Sequence, residues 1–506
     1  MKYILILAGT MIMMNSSFSQ EPELGIFQHQ MDIGNPKKKG ITRYDRSSQT
    51  YDIKGAGYNI WFERDEFHYT YSPLNGDFIL SANFEFVGEG VNPHRKIGWM
   101  VRESTDDDAV HMSAVIHGDG LAVMQWRVGK GKAMRDPEDE IFSTKKNVRV
   151  IQLERKDKIF TMRVAWWGES LQEVGSHEMT DMPDEVLAGI FICSHNPEVV
   201  ETANVWNVRI DKPVSGDYNP YEQGFLGSRL EIINVFDGKR KVIYGSDQGF
   251  EAPNWMPDGN HLLYNSGGKL YTISVKGGEP VLFNTGFADR NNNDHGISFD
   301  GKKLAISHHR EGLPGGGSTI YVLPVSGGEP RQVTELTPSY WHGWAPNNEE
   351  VVYVAQRNTG VYNLYRKNIN GGEEVQLTFN KGAHVDGPEY TPDGEYIYYN
   401  SSVTGTMQLW RMKPDGSGQE QITWDEYHDW FPHISPDGKW IVFLSFQPEL
   451  PANDHPAYKR VELRLMPATG GAPRVIAYLY GGQGTINVPS WSPDSKYIAF
   501  MSNPGR

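Results

Sequence analysis

Six times in its second half the chain repeats one short pattern: an aromatic or apolar residue, then a Pro-Asp-Gly-like turn, then an alternating apolar strand. The copies run Trp255-Met256-Pro257-Asp258-Gly259, Ile297-Ser298-Phe299-Asp300-Gly301, Trp344-Ala345-Pro346-Asn347-Asn348, Tyr390-Thr391-Pro392-Asp393-Gly394, Ile434-Ser435-Pro436-Asp437-Gly438 and Trp491-Ser492-Pro493-Asp494-Ser495. Their Asp or Asn markers are 42 to 57 residues apart. Proline presets φ, Asp hydrogen-bonds its own backbone and Gly accepts positive φ, so each copy is a turn with a mechanism. A strand follows, as at 396–399, then a second at 408–412, and elsewhere a Gly-Gly turn at 371–372 leads to a short strand at 375–378. Four strands in a repeat of this length predict one blade of a β-propeller. The last copy ends after its turn and one strand, and apolar runs at 230–235 and 241–244 precede the first. Joining them completes a sixth blade and removes two exposed sheet edges.

These repeats resemble the propeller of the TolB family, and those of oligogalacturonate lyases, over about residues 225–506. The resemblance implies a six-bladed propeller. Propellers host both binding and catalysis, so it leaves function open.

Between residues 26 and 212 the repeat is absent. Runs at 78–86, 110–116, 121–126, 148–153 and 159–164 alternate apolar and polar residues, and almost nothing supports an amphipathic helix. The expectation is a β-sandwich. The stretch Lys96-Ile97-Gly98-Trp99-Met100-Val101-Arg102, with Val110-His111 and His117-Gly118-Asp119-Gly120, is similar to the concanavalin-like jelly-roll modules of secreted carbohydrate-active proteins. Residues 213–224, rich in turn formers, read as the linker. The whole chain is therefore expected to be all-β, a jelly-roll sandwich followed by a propeller.

Lys2 precedes an apolar stretch to Met14, and Ser17-Phe18-Ser19 offers a small-x-small cleavage site, so residues 1–19 read as a signal peptide. The stretch is shorter than the roughly 20 residues of a membrane span, and the mature chain is expected in the periplasm or outside the cell. Cys193 is the single cysteine, so no disulfide forms within the chain. A net charge of −15 argues against nucleic acid or anionic membrane as partners.

Candidate site residues gather where loops enter the first strand of each blade. They are His295, His342, His384 and His428, with Glu251, Asp294, Asp386, Asp429 and Asn487 nearby. Equivalent positions converge on a propeller axis, so these groups are expected at one mouth of the channel. There they hold a ligand or a divalent metal, act as acid and base, or only hydrogen-bond neighbouring loops. Oligogalacturonate lyases carry a histidine-bound metal in such a place, but their closely spaced His and Gln set is missing here; His308-His309 is adjacent and points to opposite faces. Two insertions, at 308–318 and 447–459, stand out as loops that could cover a site. In the sandwich, Arg102, His117, Gln125 and Trp126 are candidates for a sugar-binding face, with Trp126 in the core as the alternative. Asp106-Asp107-Asp108 is a candidate calcium loop or a solvated turn.

The expected function is glycan binding, with polysaccharide processing as an extension. One alternative is a TolB-like scaffold docking an envelope protein. Another is a metal-dependent lyase or hydrolase at the histidine mouth. No Gly-x-Ser-x-Gly, His-Glu-x-x-His or phosphate-loop motif supports another enzyme class.

Overall fold

A computed structural model describes residues 23–357 and 360–505. The expected signal peptide lies outside the described residues. Among these the chain is all-β, and no helix is long and apolar enough to cross a membrane.

The first domain is a sandwich of two seven-stranded antiparallel sheets. One contains Phe67–Asn75, Glu185–Cys193, Lys96–Arg102, His111–His117 and Ala122–Arg127 as its central neighbours. The other is built on Ile159–Ala165, Val150–Lys156, Phe78–Phe86 and Glu201–Asp211. Alternation sends Trp99, Met112, Met124 and Trp126 inward from the first sheet to meet Leu80, Leu153, Phe160 and Met162 of the second. The first sheet's outer face is also buried, because Ile60, Phe67, Tyr69, Met100, Val115 and Phe191 pack there as a second apolar layer.

Five four-stranded blades follow in order, beginning with inner strands Glu251–Trp255, Asn291–Ile297, Ser339–Trp344, Val385–Tyr390 and His428–Ile434. The sixth blade joins both ends of the domain: Tyr497–Ser502 pairs with Ser228–Asn234, which pairs with Arg240–Ser246. A bridge from Trp491 to Ile498 supplies its inner edge. The closure expected from the runs at 230–235 and 241–244 is therefore present.

The repeated turns work as their chemistry requires. Ser298, Thr391, Ser435 and Ser492 each donate a hydroxyl bond of 2.6–2.7 Å to the Asp two residues on. The repeated aromatics reach across blades, the Trp344 and Trp491 indoles donating 2.9 Å bonds to the Gly296 and His433 carbonyls. Together with Trp255, Tyr390 and the turn prolines they line one end of the channel.

The two domains share a buried ionic joint. Glu231, fully buried on a sixth-blade strand, accepts from Arg209 of the sandwich at 2.6 Å and from Arg240 at 2.9 Å. Burial opposes the charge, but the two guanidiniums hold the carboxyl far below the usual range. Val214 and Tyr218 of the expected linker, with Phe225 and Leu226 just beyond it, lie against Tyr458 and Tyr480 of the propeller and Ile79 of the sandwich. A single helical turn, Pro220–Gln223, is capped by the Asn219 side chain.

Candidate functional site

The channel end opposite the repeated aromatics opens into a cavity of about 560 Å³. Its walls are the starts of the inner strands, which the loops from the preceding blades deliver to one place. Glu251, Asp294, His342, His384, Asp386 and Asn487 all line it. Two insertions add to them, with His309 from the first and His455 from the second. The segment between the domains contributes Tyr221 and Phe225.

Every one of the five inner strands is broken by a bulge, between Glu251 and Asn254, Asn291 and His295, Trp341 and Gly343, Asp386 and Glu389, and Trp430 and His433. A bulge re-aims the side chains around it. Three of the strands hold the equivalent residue in the left-handed region, Ala252 at φ 55°, Gly387 at 60° and Phe431 at 54°. The bulge in the second blade spans more residues than that in the third, and there His295 and His342 part company. His342 faces the cavity, whereas His295 is fully buried outside its lining, and burial lowers its pKa to about 4.

Two further expectations for the mouth are corrected. His428 is absent from the cavity wall, and its Nε2 pairs with the Leu450 carbonyl at 2.9 Å. Asp429 is fully buried beside Arg464, which also holds Asp425 at 2.6 Å, so its carboxylate serves a structural ion pair. The two neighbours show opposite faces of their strand, and each finds its partner away from the cavity.

At the centre of the cavity, Asp386 accepts from His342 Nε2 at 2.9 Å and lies 3.6 Å from His384 Nε2. Its Oδ1 also accepts the Gly387 amide at 2.8 Å. Burial disfavours both charges of the first pair, but each stabilises the other, so Asp386 stays far below the usual carboxylate range and His342 titrates above the usual imidazole value. Phe431 lies nearly parallel to the His342 ring, with centroids 6.3 Å apart, and His455 sits edge-on to Trp430 at 4.3 Å.

The other side is acidic. Tyr221 donates a 2.5 Å hydrogen bond to Glu251 Oε1, and the Asn292 amide donates to Asp294 Oδ2 at 2.6 Å. Burial, aided by the neighbouring Asp294 and opposed by the Tyr221 bond, raises Glu251 to about 7. Burial and Asp386, opposed by His342, raise Asp294 to about 6. Two carboxyls at such values and an imidazole pinned to a carboxylate can exchange protons near neutral pH. Among the described residues no three His, Cys, Asp or Glu side chains converge closely enough to hold a metal ion, so the alternative of a divalent metal at the mouth finds no ligand set there.

The four sandwich candidates do not share a face. In register, Gln125 lies opposite Ser113, while Trp126 lies opposite Met112 on the other side of the sheet. Trp126 is core, stacked on His177 with centroids 3.8 Å apart. Arg102 is fully buried, donating to Asp65 at 2.7 Å; Asp65 also holds Arg127 at 2.6 Å. His117 is buried near Lys96, and Gln125 donates to Glu140 at 3.1 Å. The apolar layer over that face removes it from solvent, so no sugar reaches these residues. In the acidic run, Lys130 pairs with Asp106 at 2.6 Å and lies 3.8 Å from Asp108, filling a cation's place there.

Tyr221, Phe225, Tyr340, Tyr362, Phe431 and Gln483 line the mouth without having been candidates. No local signal separates these side chains from the other aromatics and amides of the strands and loops around them.

Closed blades, an axial cavity and a sandwich clamped to the ring define the class: a six-bladed β-propeller protein with an appended β-sandwich. A profile described as the TolB beta propeller domain matches residues 315–452. The chain is 46% identical over 279 residues to the uncharacterized protein Atu1656 of Agrobacterium fabrum, covering 55% of this chain and 93% of that one. A solved structure of a putative TolB from Agrobacterium tumefaciens, also 46% identical, superposes with a TM-score of 0.52, covering 54% of this chain and 97% of that one. The chain belongs to the TolB-like β-propeller family. The Tol-Pal system protein TolB of Francisella tularensis is 26% identical over 54% of this chain, which spans 62% of that relative's length.

Proposed function

We propose that the chain is an extracytoplasmic interaction scaffold whose propeller docks another protein of the cell envelope. The observation that carries this reading is an apolar rim. In the loops from the second, third and fourth blades to the next, Thr334, Thr378 and Thr423 are buried, and each accepts a backbone N–H bond of 2.9–3.0 Å from the blade's third strand. Those bonds fix the loops. Close behind each Thr, an apolar side chain stands in solvent: Leu336, Phe379 (73% exposed) and Trp424 (74% exposed). Large hydrophobics standing one or two residues beyond the loop Thr in three successive blades are expensive to leave in water and fit a protein partner. The likeness to Tol-Pal system protein TolB favours an envelope partner, and the reading of residues 1–19 as a signal peptide favours export.

The test is affinity capture from envelope extract with the wild type and a Phe379→Asp/Trp424→Asp variant of unchanged melting temperature. A partner retained by the first and lost by the second supports docking; equal capture by both sinks it.

A second reading, glycan binding, is favoured by the mouth cavity, where amides and rings stand together as sugar sites require. Retardation on a polysaccharide affinity gel, abolished by Tyr362→Ala, would support it, and free migration on acidic and neutral gels alike would remove it.

A further inference from the structure

The mouth cavity holds three carboxylates, and only one of them is hydrogen-bonded to a group that can carry positive charge. Asp386 has the His342 imidazole. Glu251, 9% exposed, receives a neutral phenol, and Asp294, 5% exposed, receives a neutral amide. No Lys or Arg lies among the described residues of the wall. Buried carboxylates without a cation are costly in an empty site and are repaid when a positive charge enters.

A second, independent observation points the same way. Asn291, 5% exposed and in the same wall, leaves its Oδ1 without a hydrogen-bond partner. The rest of the lining decides what kind of ligand fits. Tyr221, Phe225, Tyr340, Tyr362 and Phe431 present rings to the same space, and ring faces attract organic cations. The carboxylates do not converge as metal ligands do. The volume of about 560 Å³ lies within the range of small-molecule sites.

We propose that the propeller mouth binds a small polyhydroxylated amine in its protonated form, of the size of an amino sugar, with the ammonium group answered by Glu251 and Asp294. Its hydroxyls meet Asn291 and the Gln483–Asn487 corner, and its carbon skeleton lies against the tyrosines. An acidic sugar is refused, because its carboxylate would add a fourth negative charge to a wall without Lys or Arg. This inference shares the cavity with the glycan reading and is independent of the docking reading.

Isothermal titration of the full chain at pH 7.5, in EDTA, with glucosamine, glucose and glucuronate tests it. Glucosamine is expected to bind at least tenfold more tightly than glucose, and glucuronate not at all. The Glu251→Gln/Asp294→Asn variant, which removes charge while keeping shape, is expected to lose that tenfold preference. Glucose binding as tightly as glucosamine would overturn the inference while leaving the glycan reading intact. Absence of heat with glucosamine, or a preference that survives in the double variant, would overturn it as well.

Discussion

The Tyr221 hydroxyl, carried on the segment that joins the two domains, donates a 2.5 Å hydrogen bond to Glu251 at the propeller mouth. The joint between domains is thereby part of the site. Phe225, in the same segment, faces the same cavity.

Tyr221→Phe should lift the Glu251 pKa further, because the bond favours the charged carboxylate. Stability should fall by about 1 kcal/mol, the ordinary net worth of one hydrogen bond. Carboxyl-detected NMR titration and urea denaturation measure the two effects. An unmoved Glu251 titration would show that the bond does not form in solution.

Glu251 and Asp294 predict a stability that declines as pH rises. Both folded-state values, about 7 and about 6, lie above the unfolded ones, so the folded protein binds protons that the unfolded chain has released. Stability should therefore fall from about pH 4 to 7. Glu251→Gln should match the wild type near pH 4 and exceed it at pH 8 by on the order of 2 kcal/mol. Thermal melts across that range would reveal the crossover or its absence.

Removing the charge of Glu231 should have the opposite consequence. Glu231→Gln leaves the Arg209 and Arg240 guanidiniums facing each other in a buried joint. Breaking one side of a buried ion pair costs about 3–5 kcal/mol. Calorimetry should show a lower melting temperature and separation of the sandwich and propeller transitions.

The left-handed residues of the inner strands make a paired prediction. Ala252→Gly should be neutral or stabilising by up to about 1 kcal/mol, since a Cβ at φ 55° is strained. Gly387→Ala should cost about 1–3 kcal/mol. Its new Cβ would lie 2.8 Å from Asn400 Oδ1 and 3.2 Å from the Phe431 Cα. Urea denaturation of both variants would test whether strain sits where the bulges put it.

The local chemistry of the chain determined the propeller, its six blades and the sandwich before it. A Pro-Asp-Gly turn and an alternating strand act over a few residues, so six copies can be counted without knowing what touches what. Closure by the runs at 230–235 and 241–244 was legible because an unpaired edge needs a partner. The mouth was legible in part: His342, His384, Asp386, Glu251, Asp294 and Asn487 meet there, whereas His295, His428 and Asp429 do not.

Only the tertiary structure decided the rest. A bulge of one or two residues turns a side chain from the axis into a blade, and nothing near His295 announces that its bulge differs from the one beside His342. Gln125 and Trp126 are neighbours on one strand and necessarily face opposite ways, but which of the two meets the core was settled by the sheet packed against it. Tyr221 and His455 reach the cavity from a linker and an insertion that carry no repeat. Turns and strands follow from neighbours along the chain, while a site on a propeller axis is assembled by convergence through space.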